Sequence, residues 1–268
     1  MLVTSVVLAA GALGGTMLYG IHGRSAQVFG PSVRRGGGRR RSIALTFDDG
    51  PSEGSLPLLE YLHAEGIKAT FFVCGMNVER HPSIARAIAQ AEHEIGNHTY
   101  SHARLCPRLG WKLNIKSPEE IFHEFARTQG IIVREAGVTP VLLRAPYGMR
   151  WHGLRAAQRQ LGLLGVMWTV IGHDWEWRAE AISKLVLRKA TPGGIVCLHD
   201  GRDIQPQPDI GETLQAVKQI IPILKAEGYA FETVSELLRS DAEAAGAISP
   251  ISPLHMHPPD AKRIHERI

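Results

Sequence analysis

The chain divides by its pattern of apolar and polar positions. Residues 2–21 form one run without a charged side chain, LVTSVVLAAGALGGTMLYGI. Residues 22–41 then lose apolar periodicity and end in the Gly/Arg stretch VRRGGGRRR. From Ser42 onward, short β-rich apolar runs alternate with segments of helical spacing. The runs predict strands at Ile43–Phe47, Ala69–Cys74, Glu94–Asn97, Val141–Leu143, Gly165–Val170, Ile195–Leu198 and Ala230–Val234. S-P-E-E at Ser117–Glu120 predicts a capped helix start, and Ile210, Leu214, Val217, Ile221 and Leu224 keep helical spacing. Residues 241–268, rich in Ala, Pro and His, are expected to be a loose tail.

Repeated β–α units require parallel strands joined by right-handed crossovers. Asp48 and Asp49 follow the first predicted strand, His98 the third, Arg144 the fourth, Asp174 the fifth and His199 the sixth. An open sheet gathers ligands at one switch point, whereas a barrel brings loops from all its strands onto one face. The expected fold is therefore a distorted, irregular (β/α) barrel of about seven parallel strands over residues 42–240. Residues 22–41 are expected to be a basic linker.

Residues 1–21 suggest a membrane anchor or signal segment, since an uncharged run of this length can span a bilayer. Arginines follow the run and none precedes it, which favours a cytoplasmic C-terminal side. The expected location is membrane-anchored or extracytoplasmic, with those arginines as the contrary signal.

Composition narrows the classes. Apolar residues make up 44% and charged residues 21%, ordinary for a globular domain. The net charge of +4 comes from Arg24, Arg34, Arg35, Arg39, Arg40 and Arg41. The remainder has no basic excess, which excludes nucleic acid as a partner. Cys74, Cys106 and Cys197 are widely spaced and form no CxxC pair.

Two clusters carry chemistry. Asp48 and Asp49 in TFDDGP are adjacent carboxylates that need a cation or proton between them, although D-D-G-P is also good turn chemistry. His98 and His102 in HTYSH have the i, i+4 spacing that brings two imidazoles to one side of a helical turn. With 13 histidines in the chain, chance also produces that spacing. Together, one Asp and two His make a three-ligand metal centre with an open position, and the second Asp is left as a base. His199 in LHD is suited to protonating a leaving amine.

These motifs, with RAPYG at Arg144–Gly148 and the pair Asp174-Trp175, occur in the order found in the polysaccharide deacetylases. The chain resembles that family, which shares the NodB homology domain and forms carbohydrate esterase family 4. The resemblance implies removal of N-acetyl groups from amino-sugar residues of an acetylated glycan. It implies a distorted (β/α) barrel holding one divalent ion, zinc first and cobalt or nickel as alternatives. Asp49, His98 and His102 would be the ligands and Asp48 the base, oriented by Arg144. Tyr147 would offer its backbone N–H to the oxyanion. Asp174 would pair with His199, the acid, while Trp175 and Leu198 would form a slot for the acetyl methyl. Ala145 and Ile171 depart from the family pattern, the latter replacing an aspartate for which His173 is the nearest polar substitute. Trp151 and Trp177 are further candidates for stacking on sugar rings. The rival readings are a glycan-binding protein without catalysis and a small-molecule amidase; possession of both acid and base disfavours the binder.

Overall fold

The computed structural model describes residues 2–107 and 116–244, except for the side chains of 2–10, 241 and 244. The chain runs α1 (Leu2–His22), β1 (Ser32–Val33), β2 (Ser42–Asp48), α2 (Ser55–Ala64), β3 (Thr70–Val73), α3 (Gly75–Arg80), α4 (Pro82–Gln90) and β4 (Glu94–Asn97). It continues through α5 (Pro118–Ala136), β5 (Leu142–Leu143), a 3-10 turn at Pro146–Gly148, α6 (Leu154–Leu161), β6 (Leu164–Val166) and β7 (Val170–Ile171). The last elements are α7 (Ala179–Lys189), β8 (Gly194–His199), α8 (Gly211–Ala226), β9 (Ala230–Phe231) and α9 (Val234–Ala244).

The strands pair in the order β1-β6-β5-β4-β3-β2-β8-β7, all parallel, with β9 joining the start of β2. This order forces the sheet to curl. β6 and β7 lie six strand positions apart, about 29 Å on a flat sheet at about 4.8 Å per strand. Only Met167–Thr169 connect them, and four residue steps reach about 14 Å at most. The result is the distorted (β/α) barrel that the strand-end residues predict.

The sequence predicts one strand over Gly165–Val170, and the structure breaks it in two. Met167 N bonds to Val33 O (2.7 Å), whereas Thr169 N bonds to Ile195 O (2.9 Å). The chain changes partner from β1 to β8 within two residues, which no single straight strand can do. A second correction concerns the expected linker. Ser32–Val33 is a strand on β6, and Arg35 and Gly36 reach the start of β8, with Gly36 N on Gly193 O at 2.8 Å. Residues 32–36 thus span the seam between β6 and β8. Upstream, the buried Arg150 fastens the chain by donating to Ala26 O (2.7 Å), Ser32 Oγ (2.8 Å) and the Gly23 carbonyl.

Both sheet faces are buried, which explains the nearly unbroken apolar runs in the strands. Ile43, Leu45 and Phe47 of β2, with Val196 and Leu198 of β8, pack outward against α2, α4, α7 and α8. Ala44, Ile195 and Cys197 face the interior with Phe72, Leu142 and Val166. Val234, Leu237 and Leu238 of α9 join that inner cluster. Val234 N bonds to Thr70 Oγ1 at the start of β3, so α9 covers the N-terminal end of the barrel. A third cluster packs α5 and α6 around Leu105 and Leu143. The predicted capping box forms at Ser117, whose Oγ accepts from Glu120 N (3.1 Å) while its own N–H donates to Glu120 Oε2 (2.6 Å).

The uncharged N-terminal run is helical, as α1. Among the described residues no helix is long and apolar enough to cross a membrane; the side chains of residues 2–10, nearly half of the expected span, lie outside them. The expected tail begins inside α9, and residues 245–268 lie outside the described residues.

Candidate active site

Along β2, Thr46 and Asp48 share the inward face because strand side chains alternate. Arg144, entirely buried at the end of β5, donates from Nη1 to Thr46 Oγ1 (2.7 Å) and Asp48 Oδ1 (2.6 Å). Its Nε donates to Val166 O at 3.2 Å, and its guanidinium lies over the Phe72 ring at 4.1 Å. This ion pair is nine-tenths or more buried, so removing one partner would strand a charge, at about 3–5 kcal/mol. The pairing leaves Asp48 Oδ2 free of the arginine, and Cys197 Sγ lies 3.4 Å from that oxygen.

Asp49 turns the chain away from the strand with φ at 71°. Its Oδ1 lies 3.2 Å from His98 Nε2 and 3.1 Å from His102 Nε2. Neither contact has hydrogen-bond geometry, and Oδ1 is a buried oxygen without a hydrogen-bond partner. His98 Nδ1 sits 2.7 Å from Arg144 O. A carbonyl only accepts, so Nδ1 carries the proton, and Nε2 is the nitrogen that faces the carboxylate. An unpartnered carboxylate oxygen facing two imidazole nitrogens is a donor set that fits a divalent cation.

His102 Nδ1 is 2.5 Å from Asp203 Oδ1. Burial pushes His102 down, but the carboxylates of Asp203 and Asp49 outweigh it and hold the group up at about 9. Burial likewise pushes Asp49 up, and the two imidazoles more than reverse this, leaving it well below the usual carboxylate range. Asp203 also gives its backbone N–H to Asp49 Oδ2 (2.9 Å) and accepts from Tyr147 Oη (3.2 Å). Asn77 Nδ2 ties the two loops together, reaching Asp49 O (2.6 Å) and Asp203 O (3.0 Å).

The sequence predicts a helical turn for His98–His102, and the structure shows a loop instead. Thr99 (φ 68°) and His102 (φ 52°) are left-handed, and the loop rather than a helical turn brings the rings together. Seven non-glycine residues have positive φ among the described residues, and Asp49, Thr99, His102, Tyr147, His173 and Asp203 all lie in loops at this end. Backbone strain of this kind concentrates where function fixes geometry. Gly50 and Gly201 allow the loops to approach: a Cβ on Gly50 would lie 2.2 Å from Asp200 Oδ2, and one on Gly201 2.3 Å from Asp49 O.

On the opposite side, Asp174 Oδ1 is 2.8 Å from His199 Nδ1, and Oδ2 accepts from His199 N (2.8 Å) and Thr213 Oγ1 (2.6 Å). This leaves His199 Nε2 directed away from Asp174. Burial pushes His199 down, but the charge and hydrogen bond of Asp174, then Asp49 and Asp48, raise it to about 9. Burial pushes Asp174 up, and His199 outweighs that to hold it low.

A cavity of about 740 Å³ joins these groups, lined by Asp48, Asp49, His98, His102, His199, Tyr147, Asp203 and the apolar Trp168, Ile171 and Trp175. Leu198 is absent from this lining and fully buried against the outer helices, which corrects the expected methyl slot. Strand alternation explains it, because Cys197 and His199 share the inward face and Leu198 points outward. Trp168, Ile171 and Trp175 supply the apolar wall instead. Trp175 is half-exposed and meets the His199 ring edge-on at 5.2 Å. His173 stacks on Trp177 at 4.9 Å and lies 5.0 Å from the Trp175 ring, and its side chain makes no hydrogen bond to Asp174 or His199. Trp151 packs on Phe29 and the third cluster, away from the cavity. Tyr147 (φ 59°) sits at the mouth, its ring 4.7 Å from His102. Asp203, Asn77, Cys197 and Trp168 are the site residues that motif reading misses. Cys197 was legible from its two-residue spacing to His199, while Asp203 and Asn77 carry no local signal.

A parallel barrel with an arginine-held carboxylate, a carboxylate-held imidazole and an Asp-His-His set at one mouth defines a barrel hydrolase. The family profile described as polysaccharide deacetylase matches residues 35–166, and the chain belongs to that family. A peptidoglycan-N-acetylglucosamine deacetylase of Bacillus cereus is 34% identical over 206 residues, covering 76% of this chain and 70% of the relative. A chitooligosaccharide deacetylase of Azorhizobium caulinodans is 34% identical over 200 residues, covering 71% of this chain and 91% of the relative. The crystal structure of a peptidoglycan N-acetylglucosamine deacetylase superposes with a TM-score of 0.69 at 33% identity, covering 76% of this chain and 91% of that one.

Proposed function

We propose that this chain is a metal-dependent N-deacetylase that releases acetate from N-acetylglucosamine residues of peptidoglycan, chitin fragments or a related exopolysaccharide. The observation that carries the proposal is the convergence on one cavity of an arginine-held carboxylate, a carboxylate-held imidazole and the Asp49-His98-His102 set. A divalent ion on that set, zinc in the first instance, would polarise the acetamide oxygen and acidify water.

The side chains divide the remaining work. Asp48, held in place by Arg144 through Oδ1, takes the proton from the attacking water at Oδ2, the oxygen that the arginine leaves open. The backbone N–H of Tyr147, fixed by the left-handed turn, stabilises the negative charge that develops on the acetyl oxygen. His199 Nε2 gives a proton to the departing amine while Asp174 holds the ring and favours its charged form. Trp168, Ile171 and Trp175 enclose the acetyl methyl and exclude water from it.

The test is acetate release from a panel of N-acetylglucosamine oligomers, peptidoglycan and acetylated xylan, using chelated protein reloaded with zinc, cobalt or nickel. Activity on the N-acetylated glycans, lost on chelation and restored by metal, is the expected result. Activity confined to the xylan ester, or unaffected by chelation, overturns the reading.

A further inference from the structure

The inner face of β8 presents two donors with no part in the Asp49-His98-His102 set. Cys197 Sγ lies 3.4 Å from Asp48 Oδ2. His199, two residues along the same strand, has Nδ1 on Asp174, so Nε2 remains to face the same space. A carboxylate oxygen, a thiol sulfur and an imidazole nitrogen, one from each residue, lie within 4.8 Å of one another. We infer that Asp48, Cys197 and His199 form a second metal site, selective for a thiophilic divalent ion such as cadmium or excess zinc, and that its occupation shuts the enzyme off.

The donor chemistry sets the selectivity. Sulfur and imidazole favour soft and borderline ions, whereas magnesium and calcium want oxygen. Three protein donors leave a fourth position toward the cavity, the geometry of an exchangeable site. The surroundings rank the two sites. Arg144 already neutralises Asp48, so an ion there meets a nearby positive charge that Asp49 lacks. The second site therefore fills only after the first. Its occupation ties up the free oxygen of Asp48 and the free nitrogen of His199. The inhibitory consequence rests on their proposed roles as base and acid, whereas the binding itself does not.

The experiment is a cadmium titration of the zinc-loaded full-length protein, followed by ultraviolet absorption and by metal counting after dialysis. A cadmium–thiolate charge-transfer band should grow in with one further ion per chain. Cys197→Ser should remove the band and weaken that binding by at least about 10–100-fold, the loss that even an outer-sphere partner causes. Asp48→Asn should keep the thiol yet weaken the same binding, which covers a Cys197→Ser protein that fails to fold. Cadmium inhibition, scaled to each protein's own uninhibited rate, should be relieved in Cys197→Ser. Cys74 and Cys106 remain in every variant. A band that persists in Cys197→Ser, or no band in the wild-type protein, overturns the site. These readouts need no deacetylase activity, so they separate failure of this site from failure of the proposed reaction.

Discussion

His102 Nδ1 lies 2.5 Å from Asp203 without hydrogen-bond geometry, His199 Nδ1 is hydrogen-bonded to Asp174 at 2.8 Å, and each ring is raised to about 9. What differs is the other face of the ring. His102 Nε2 looks at Asp49 from 3.1 Å, while His199, with Nδ1 on its own carboxylate, leaves Nε2 for the cavity that it lines. In the proposed mechanism the same pairing of imidazole and carboxylate therefore serves as half of a cation site on one side of the cavity and as a proton donor on the other. The supporting carboxylates differ as well. Asp174 is fully buried and fixed by three donors, whereas Asp203 is half-exposed on a loop. His199 is thus paired with a buried carboxylate that three donors fix, and His102 with one that solvent reaches.

The comparison breaks most completely on the ligand side. His98→Ala should remove both the bound ion and all measurable acetate release, since two ligands do not hold a catalytic metal. Elemental analysis of the purified variant beside its rate checks this; retained metal would dissolve the distinction between the two sides. On the donor side, His199→Ala should keep the metal and lower turnover on the order of 10²–10⁴-fold, the worth of a positioned proton donor. Substrates with a good leaving group should lose less. Equal losses on activated and natural substrates would make His199 an orienting residue.

Asp174→Asn should cut turnover by less than loss of the ring itself and move the alkaline limb of the rate profile to lower pH. The direction follows from charge: the carboxylate favours imidazolium, so its removal lowers the histidine pKa and the acid form disappears earlier. An unmoved limb would assign that limb to another group. The smallest change is expected from Asp203→Asn, about 10–100-fold in metal affinity with the acid side unaffected. In chelated protein both histidines lie above their ordinary 6.5, so their contribution to stability is complete below that pH and fades as pH rises through about 9. Thermal melts of chelated protein across that window should show the fall, and Asp203→Asn should flatten the part that His102 contributes.

Much of this division was readable before the structure. Asp48, Asp49, His98, His102, Arg144, Asp174 and His199 all sit at strand ends, and alternation of apolar runs with helical spacing places strand ends on one face. Three features were hidden, each for a physical reason. The loop through His98–His102 relies on left-handed backbone at Thr99 and His102, for which a side-chain pattern gives no sign. Leu198 and Cys197 are both apolar enough for either face, so only the register set by His199 separates them. Asp203 and Asn77 meet Asp49 across long sequence separations, and a lone polar residue in a loop does not announce its partner.

Residues 32–36 lie across the seam between β6 and β8, and Arg150 pins the chain just ahead of them. A barrel whose ends are not directly hydrogen-bonded behaves like a cask held by a hoop, and this short segment is the hoop. A shortened protein that begins at Ser42, where the apolar pattern starts, would discard it and let the edges beneath Trp168 and Ile171 spread. One that begins before Arg24 would keep the staves closed. The place to cut the gene is therefore some twenty residues upstream of where hydrophobicity alone would put it.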